Sequence, residues 1–435
     1  MNATGQLPQL AGESRAANTA GTMSRGAPVA PVARVLLVTG EYPPSIGGVG
    51  DYTATLAAQL RGAGADAAVL TGVGGPLPGD HAVRRVVPDW GVRGWPAIGR
   101  AIAATRPDLV HIQYQAGAFA GRGGIVALPW WIGRRTTLPV AVTFHDRHVP
   151  YLFPKAGPLR AFALRALARG GAATIVTNGD DWAAFRADWG TERHLHLIPI
   201  GSNIPALPTD ARITVRAATR STLGVGPDTT VIAYFGLVSA SKGVALLLDA
   251  VVKAVAQGLT DCRLLLIGGG ASVTDGTDFG MDGDLAGALR ARGLTARTIV
   301  TGALPAAAVA AHLAAADLVA LPYRDGASWR RGSLLAALAA GVPAITTAPQ
   351  AGYDAAGSLP TLTNGIDVAL VPPDDVQALA AAILRLAADP VDRARLAAGG
   401  RAVAARFDWS TIANAHLDLY ASLIQRAGSV RGGRR

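Results

Sequence analysis

The sequence predicts an α/β chain built as two successive Rossmann-like halves, each a doubly wound parallel sheet. Short apolar runs alternate with longer helix-like segments from Arg34 to about Gly201. The alternation breaks between Asn203 and Asp228, then restarts, and past Asp374 only helical patterns remain. Length agrees, since 435 residues exceed what one hydrophobic core ordinarily supports.

In the first half the strand candidates are RVLLVTG, DAAVLTG, DLVHIQY, PVAVTFHD, AATIVTNG and LHLIPIG. Each is short, apolar and bounded by turn residues, as strands buried on both faces should be. GDYTATLAAQLRGAG and GPLRAFALRALARG fill gaps between them as helices. In the second half the strands are VIAYFG, CRLLLIGGG, RTIVTGAL, DLVALPY, PAITT and DVALVPP, with helices at VALLLDAVVKAVAQ, DLAGALRARG and LLAALAAG. DDVQALAAAILRLAADP follows, and a last helix from about Trp409 to Arg426 is long enough to cross back onto the first half. The expected divisions are a disordered leader (1–31), a first Rossmann-like domain (32–205), a linker (206–228), a second Rossmann-like domain (229–408), the crossover helix (409–427) and a basic tail (428–435).

Half of the residues are hydrophobic and only 16% are charged, which excludes a disordered body. A single cysteine, Cys262, excludes an internal disulfide framework and a cysteine-built metal site, so the cytoplasm is the expected compartment. No apolar run is long enough to span a bilayer without a Pro or Gly break. The net charge of +10 is spread as arginine along the chain, without the lysine tracts or stacking aromatics of a nucleic-acid module. Phosphate-bearing ligands or an anionic membrane surface suit a scattered excess equally well. The near-total preference for arginine over lysine reads as a composition bias without mechanistic content.

Several segments carry candidate chemistry. Gly47, Gly48 and Gly50 lie between the first strand and its helix, where backbone amides can approach a phosphate, although a glycine-rich turn alone gives the same pattern. Lys242 opens a helix after VIAYFG, where a cation does not help the helix dipole and an anionic partner would. His145 and Asp146, and also His111, fall at the carboxyl ends of strands, the edge that carries ligands in such sheets. In PYRDGASWRRGSLLAALAAGVP, Arg330, Arg331, Gly332 and Ser333 precede a helix, as a basic surface turn or as an anion seat. Trp130 and Trp131, beside Arg134 and Arg135, are either core or an acceptor-side face suited to a lipid interface.

Together these segments resemble glycosyltransferase family 4, retaining enzymes of the GT-B fold, from about Arg34 to Gln425. The marks are EYPPSIGGVGDYT, TFHD, IPIGSN, the FG and KG pairs within 235–243, LPYRDG, AALAAGVPAITT, NGIDVALVPPDD, ADPVDRARLAAGGR and FDWSTIA. The resemblance implies two domains facing across a cleft, a nucleotide-sugar donor held mainly by the second, and an acceptor on the first. It implies no cofactor and no metal, Gly47–Gly50 facing the donor phosphates, His145 near the transferred sugar, and Lys242 neutralising the departing diphosphate. Saccharide, lipid-linked and small-molecule acceptors all remain open, as does peripheral membrane contact.

The sequence also departs from that pattern. Leu237 stands where the family carries an arginine, and Ser328 and Ala336 fall at its two glutamate positions. A displaced first acid could be Asp325. Arg330 and Arg331 are then expected to replace the lost cation at the diphosphate, with the backbone of Gly332 and Ser333. A nucleotide-sugar epimerase and a catalytically retired sugar-nucleotide-binding subunit are the alternatives.

Overall fold

The computed structural model describes residues 33–45, 47–74, 81–146, 157–189, 194–268, 285–350, 357 and 359–432. The expected leader and the last residues of the basic tail lie outside them.

The first sheet contains β1 (Arg34–Thr39), β2 (Asp66–Gly72), β3 (Val83–Val87), β4 (Leu109–Tyr114), β5 (Val140–Phe144), β6 (Ala173–Val176) and β7 (Leu195–Leu197). All pairings are parallel, in the order β3-β2-β1-β4-β5-β6-β7. Helices α1 (Gly48–Gly62), α2 (Trp95–Thr105), α3 (Gly124–Arg135), α4 (Gly157–Gly170) and α5 (Gly179–Trp189) complete this half. After α6 (Thr209–Thr222) comes the second sheet, with β8 (Thr230–Gly236), β9 (Cys262–Gly268), β10 (Thr298–Val300), β11 (Leu318–Leu321), β12 (Ala344–Thr347) and β13 (Ala369–Val371). Its order, β10-β9-β8-β11-β12-β13, repeats that of the first sheet. Helices α7 (Val244–Ala256), α8 (Leu285–Ala291), α9 (Ala306–Ala315), α10 (Gly332–Ala339), α11 (Val376–Ala388), α12 (Pro390–Ala404) and α13 (Trp409–Gly432) follow in chain order.

Two Rossmann-like sheets are thus present as the sequence predicts. Each strand order reverses at a switch point, between β1 and β4 in one sheet and between β8 and β11 in the other. Chain connections leave these neighbours in opposite directions, which opens a crevice at their carboxyl ends. Two apolar clusters build the first half, one containing Leu36, Ile112 and Phe144, the other Leu37, Leu56 and Ile175. A third, larger cluster fills the second half, and Cys262 is buried within it.

The crossover helix α13 packs Ile412, Tyr420 and Leu423 into the first half, beside Leu56 and Leu60 of α1. Its entry is fixed by Trp409, whose indole N–H donates to the Ser202 carbonyl at 2.7 Å. The helix continues to Gly432, so the first part of the expected tail is helical.

Two elements go beyond the sequence expectations. The segment 206–228, expected as a linker, holds helix α6, which packs against α9. Its inward stripe is Arg212, Arg216 and Arg220, one helical turn apart, rather than aliphatic. Arg212 donates to the Gly341 carbonyl, Arg216 to those of Ala314, Ala315 and Ala316, and Arg220 to Ala315 and Gly226. Asp317 accepts from both Arg216 and Arg220 and from the Val231 amide. These arginines therefore have a structural task that a composition bias does not describe. The strand β3, absent from the sequence reading, is a sheet edge whose Arg84 and Arg85 interrupt the apolar run. Among the described residues, no helix is long and apolar enough to cross a membrane.

Candidate active site

At the first switch point, β1 ends at Thr39, Gly40 and Glu41 follow it, and the glycine segment leads into α1. The exposed amides of a helix N-terminus attract an anion. Here one is supplied from within the chain. Oε1 of Glu41 accepts from the Val49 amide at 3.0 Å and from the Gly50 amide at 3.1 Å. A Cβ on Gly47 would lie 2.3 Å from the Glu41 carboxylate, so a side chain there would push that carboxylate off the amides it holds. Gly48 has open space on the corresponding side. The glycine segment is therefore an anion-binding turn whose amides at Val49 and Gly50 hold a carboxylate.

At the ends of β4 and β5 the side chains facing α1 and α13 turn polar. Register places His111 beside Ala141 and Gln113 beside Thr143. His111 is fully buried between two hydroxyls, with Nδ1 2.6 Å from the Tyr420 oxygen and Nε2 2.7 Å from Thr143 Oγ1. Gln113 Nε2 lies 3.2 Å from both ring nitrogens of His111, and its Oε1 lies 2.8 Å from Nε2 of His145. An oxygen acceptor at that distance makes Nε2 of His145 the protonated nitrogen and leaves Nδ1 as the acceptor. The His145 ring meets Tyr52 of α1 edge-on, centroids 4.6 Å apart.

All three histidines here are held neutral. Burial pushes His145 down to about 3, helped by His416, and pushes His416 itself down to about 4. His111 lies well below the ordinary histidine value through burial and then through the nearby His416 and His145. Asp146 comes next in the chain, and after burial its charge helps push the Tyr114 phenol up to about 12.

At the second switch point, β8 ends at Gly236 and β11 leads into Pro322 and Tyr323. A Cβ on Gly236 would lie 3.6 Å from the Tyr234 oxygen, 3.8 Å from Lys242 Nζ and 3.9 Å from Ser333 Oγ. The first strand end, the Lys242 turn and the N-terminus of α10 thus converge around one glycine. Gly243 holds Lys242 in place through a left-handed φ of 70°, and a Cβ there would meet the Pro322 carbonyl at 2.0 Å. Leu237, where the resemblance expects an arginine, contributes its carbonyl, which accepts from Tyr234 at 2.7 Å.

Arg330 and Arg331 both pair with Asp325, Arg330 at 2.7 Å. Asp325 therefore acts as the counter-ion of the two arginines. Arg331 also lies over the Tyr323 ring, 4.8 Å from its centroid, while Tyr323 exchanges a 2.7 Å hydrogen bond with Ser333. Burial pushes the Tyr323 phenol up to about 12, against the opposing pull of Ser333 and Arg331. Arg331 Nε is buried without a hydrogen-bond partner among the described residues. Gly332 opens α10 with free space beside it. Ser328 and Ala336 are buried, so neither presents a side chain comparable to a glutamate.

Trp130 and Trp131 are set into the helical layer. Trp130 donates from its indole to the Ala166 carbonyl of α4 at 2.8 Å while remaining 44% exposed. Trp131 packs on Trp95, with the Arg135 guanidinium 4.8 Å over its ring.

The structure thus gathers His111, Gln113 and His145 at one sheet edge, and Lys242, Arg330, Arg331, Ser333 and Asp325 around the other. Sequence reasoning missed Glu41, Gln113, Tyr234 and Tyr323. Gln113 carried a signal, since it shares a face with His111 two residues away. The tyrosines carried none, because the partners of their hydroxyls are set only by tertiary contact.

Residues 47–201 match the family described as glycosyl transferase 4-like domain, and residues 229–389 match glycosyl transferases group 1. The chain is 31% identical over 332 residues to D-inositol 3-phosphate glycosyltransferase of Xylanimonas cellulosilytica, covering 73% of each chain. It is 25% identical over 403 residues to the GDP-mannose-dependent monoacylated alpha-(1-6)-phosphatidylinositol monomannoside mannosyltransferase of Corynebacterium glutamicum, covering 86% of this chain and 94% of that one. Among solved structures, sucrose-phosphate synthase of Thermosynechococcus elongatus superposes with a TM-score of 0.70 at 21% identity, over 91% of this chain and 100% of that one.

Proposed function

Because the chain belongs to the family 4-like glycosyltransferases and has their GT-B fold, we propose that it transfers a hexose from a nucleotide-diphosphate sugar with retention of configuration. The observation that carries the donor assignment is the convergence of Lys242, Ser333 and Tyr234 on Gly236, with Arg331 and its partner Arg330 alongside. A diphosphate departing from the sugar develops negative charge, and fixed cations and helix N-terminal amides stabilise it most where water is excluded. Lys242 supplies a point charge, the arginines supply planar forks that match phosphate oxygens, and the amides of Gly332 and Ser333 point along the α10 dipole. In this reading Asp325 holds the arginines until donor arrives, and neutral His145 faces the transferred sugar.

The acceptor is a saccharide, a lipid-linked glycan or a small polar molecule received at the first sheet edge. The two relatives, a D-inositol 3-phosphate glycosyltransferase and a phosphatidylinositol monomannoside mannosyltransferase, support a polar acceptor of this kind. Charge neutralisation by Lys242 and the two arginines supports metal-independent transfer, for which activity retained in excess chelator is the test.

A panel of nucleotide sugars, scored by thermal shift and by release of free nucleotide with acceptor extract, tests the function. Stabilisation with acceptor-dependent release supports transfer. Stabilisation without turnover favours a sugar-nucleotide-binding subunit, the reading to which buried Ala336 and Ser328 lend weight. An isomerised sugar would identify an epimerase.

A further inference from the structure

The polar cluster beneath His145 sits in an otherwise apolar packing layer, and most of it does no donor chemistry. It runs from α13 to His145 through Tyr420, His111 and Gln113, with Thr143 closing the far side of His111. Buried polar groups cost stability unless fully paired. Pairing is incomplete here: the Tyr52 hydroxyl on α1 and Nε2 of His416 on α13 are buried with no hydrogen-bond partner among the described residues. His416 donates from Nδ1 to the Ile412 carbonyl of its own helix, and its ring lies 5.6 Å from that of His111. An aliphatic layer would fill the same space without that cost. The cluster does one thing an aliphatic layer cannot, which is to select one tautomer and one ring orientation of His145.

We propose that Gln113 is a positioning residue for His145, and that Tyr420 of the crossover helix holds Gln113 in register through His111. The inference rests on the reading of His145 as the group that faces the transferred sugar. Gln113 Oε1 fixes the proton on Nε2 of His145, so Nδ1 is presented as a neutral acceptor. His111 cannot rotate away because Thr143 and Tyr420 hold its two nitrogens from different elements. Since α13 follows the second half and packs into the first, its placement and the orientation of the imidazole are linked. The groups facing His145 are Tyr52 from α1, Gln113 and His111 from β4, and His416 from α13.

The test uses the full chain with nitrogen-15-labelled histidine, so that the His145 tautomer is read without any turnover. In the wild type the Nε2–H pattern is expected. Gln113→Leu should lose that pattern, and turnover of GDP-mannose or UDP-glucose should fall on the order of 10- to 100-fold with donor KM nearly unchanged. Gln113→Glu keeps an acceptor oxygen, so it should restore the tautomer and the alkaline rate. Its carboxylate also favours imidazolium, so the acid limb of its pH profile should move upward. Tyr420→Phe, which keeps the ring, should give a smaller loss in the same direction. A packing role alone would lower thermal stability in Gln113→Leu while leaving tautomer and kcat intact, and that result overturns the proposal. If the wild type turns over no donor at all, the transferase reading fails, and the tautomer measurement still decides: an unchanged pattern in Gln113→Leu overturns the positioning role and a lost one supports it.

Discussion

Replacing Arg331 with alanine perturbs the proposed donor seat at the more buried of its two arginines. Its side chain is 14% exposed against 23% for Arg330, and it shares Asp325 with that neighbour while covering the Tyr323 ring. In the variant, Asp325 keeps Arg330 at 2.7 Å, so no buried charge is left without a partner. The folding cost should then be limited to the lost cation–π contact and pair, about 0.5–2 kcal/mol. The binding cost is larger, because a hydrogen bond to a charged group contributes about 1.5–3 kcal/mol, which converts to about 10- to 150-fold in affinity. Calorimetric titration of UDP and GDP into wild type, Arg330→Ala, Arg331→Ala and the double variant measures this directly. Arg331→Lys should fall between wild type and alanine, since it retains the charge and loses the fork. The two single effects are not expected to add, as both arginines share one carboxylate. Wild-type affinity in both alanine variants would refute the assignment of these arginines to the diphosphate.

Three further outcomes follow from other parts of the fold. His111 and His416 are wholly buried with imidazole pKa values held below the ordinary 6.5, His416 at about 4. The unfolded chain therefore binds more protons than the folded one below about pH 6.5, and stability falls as pH drops toward about 4, by up to about 1.4 kcal/mol per pH unit for each histidine. Urea unfolding at about pH 7.5 and about pH 5 checks the sign, and His416→Gln should flatten the slope; equal stabilities would contradict it. Asp317→Ala leaves Arg220, a buried guanidinium, without its carboxylate and should cost about 3–5 kcal/mol, read as a lower urea midpoint. Gly243→Ala forces a side chain onto the Pro322 carbonyl at a left-handed φ, so it should destabilise by at least about 1–3 kcal/mol and weaken nucleotide binding by displacing Lys242; an unaffected titration would break that link.

The sequence alone determined the two alternating α/β halves, because strands buried on both faces must be short apolar runs and their crossovers must be helices. It also marked the candidate positions His145, Lys242, Arg330 and Arg331, since residues at strand ends and helix starts lie where these sheets bind ligands. It failed at α6 because that helix meets its neighbour through an arginine stripe, and hydrophobic periodicity is blind to side chains that bury their stems and bond carbonyls with their heads. It failed at β3 because an edge strand tolerates the charges that a central strand excludes.

Only the tertiary structure decided who holds whom. Glu41 reaches the amides behind Gly47, Asp325 takes both arginines, and Tyr420 comes from the far end of the chain to hold His111. Local pattern sets which backbone conformation each segment prefers, since that depends on neighbours in sequence. Protonation state, tautomer and free charge depend on neighbours in space, and these exist only once both halves and the crossover helix have packed.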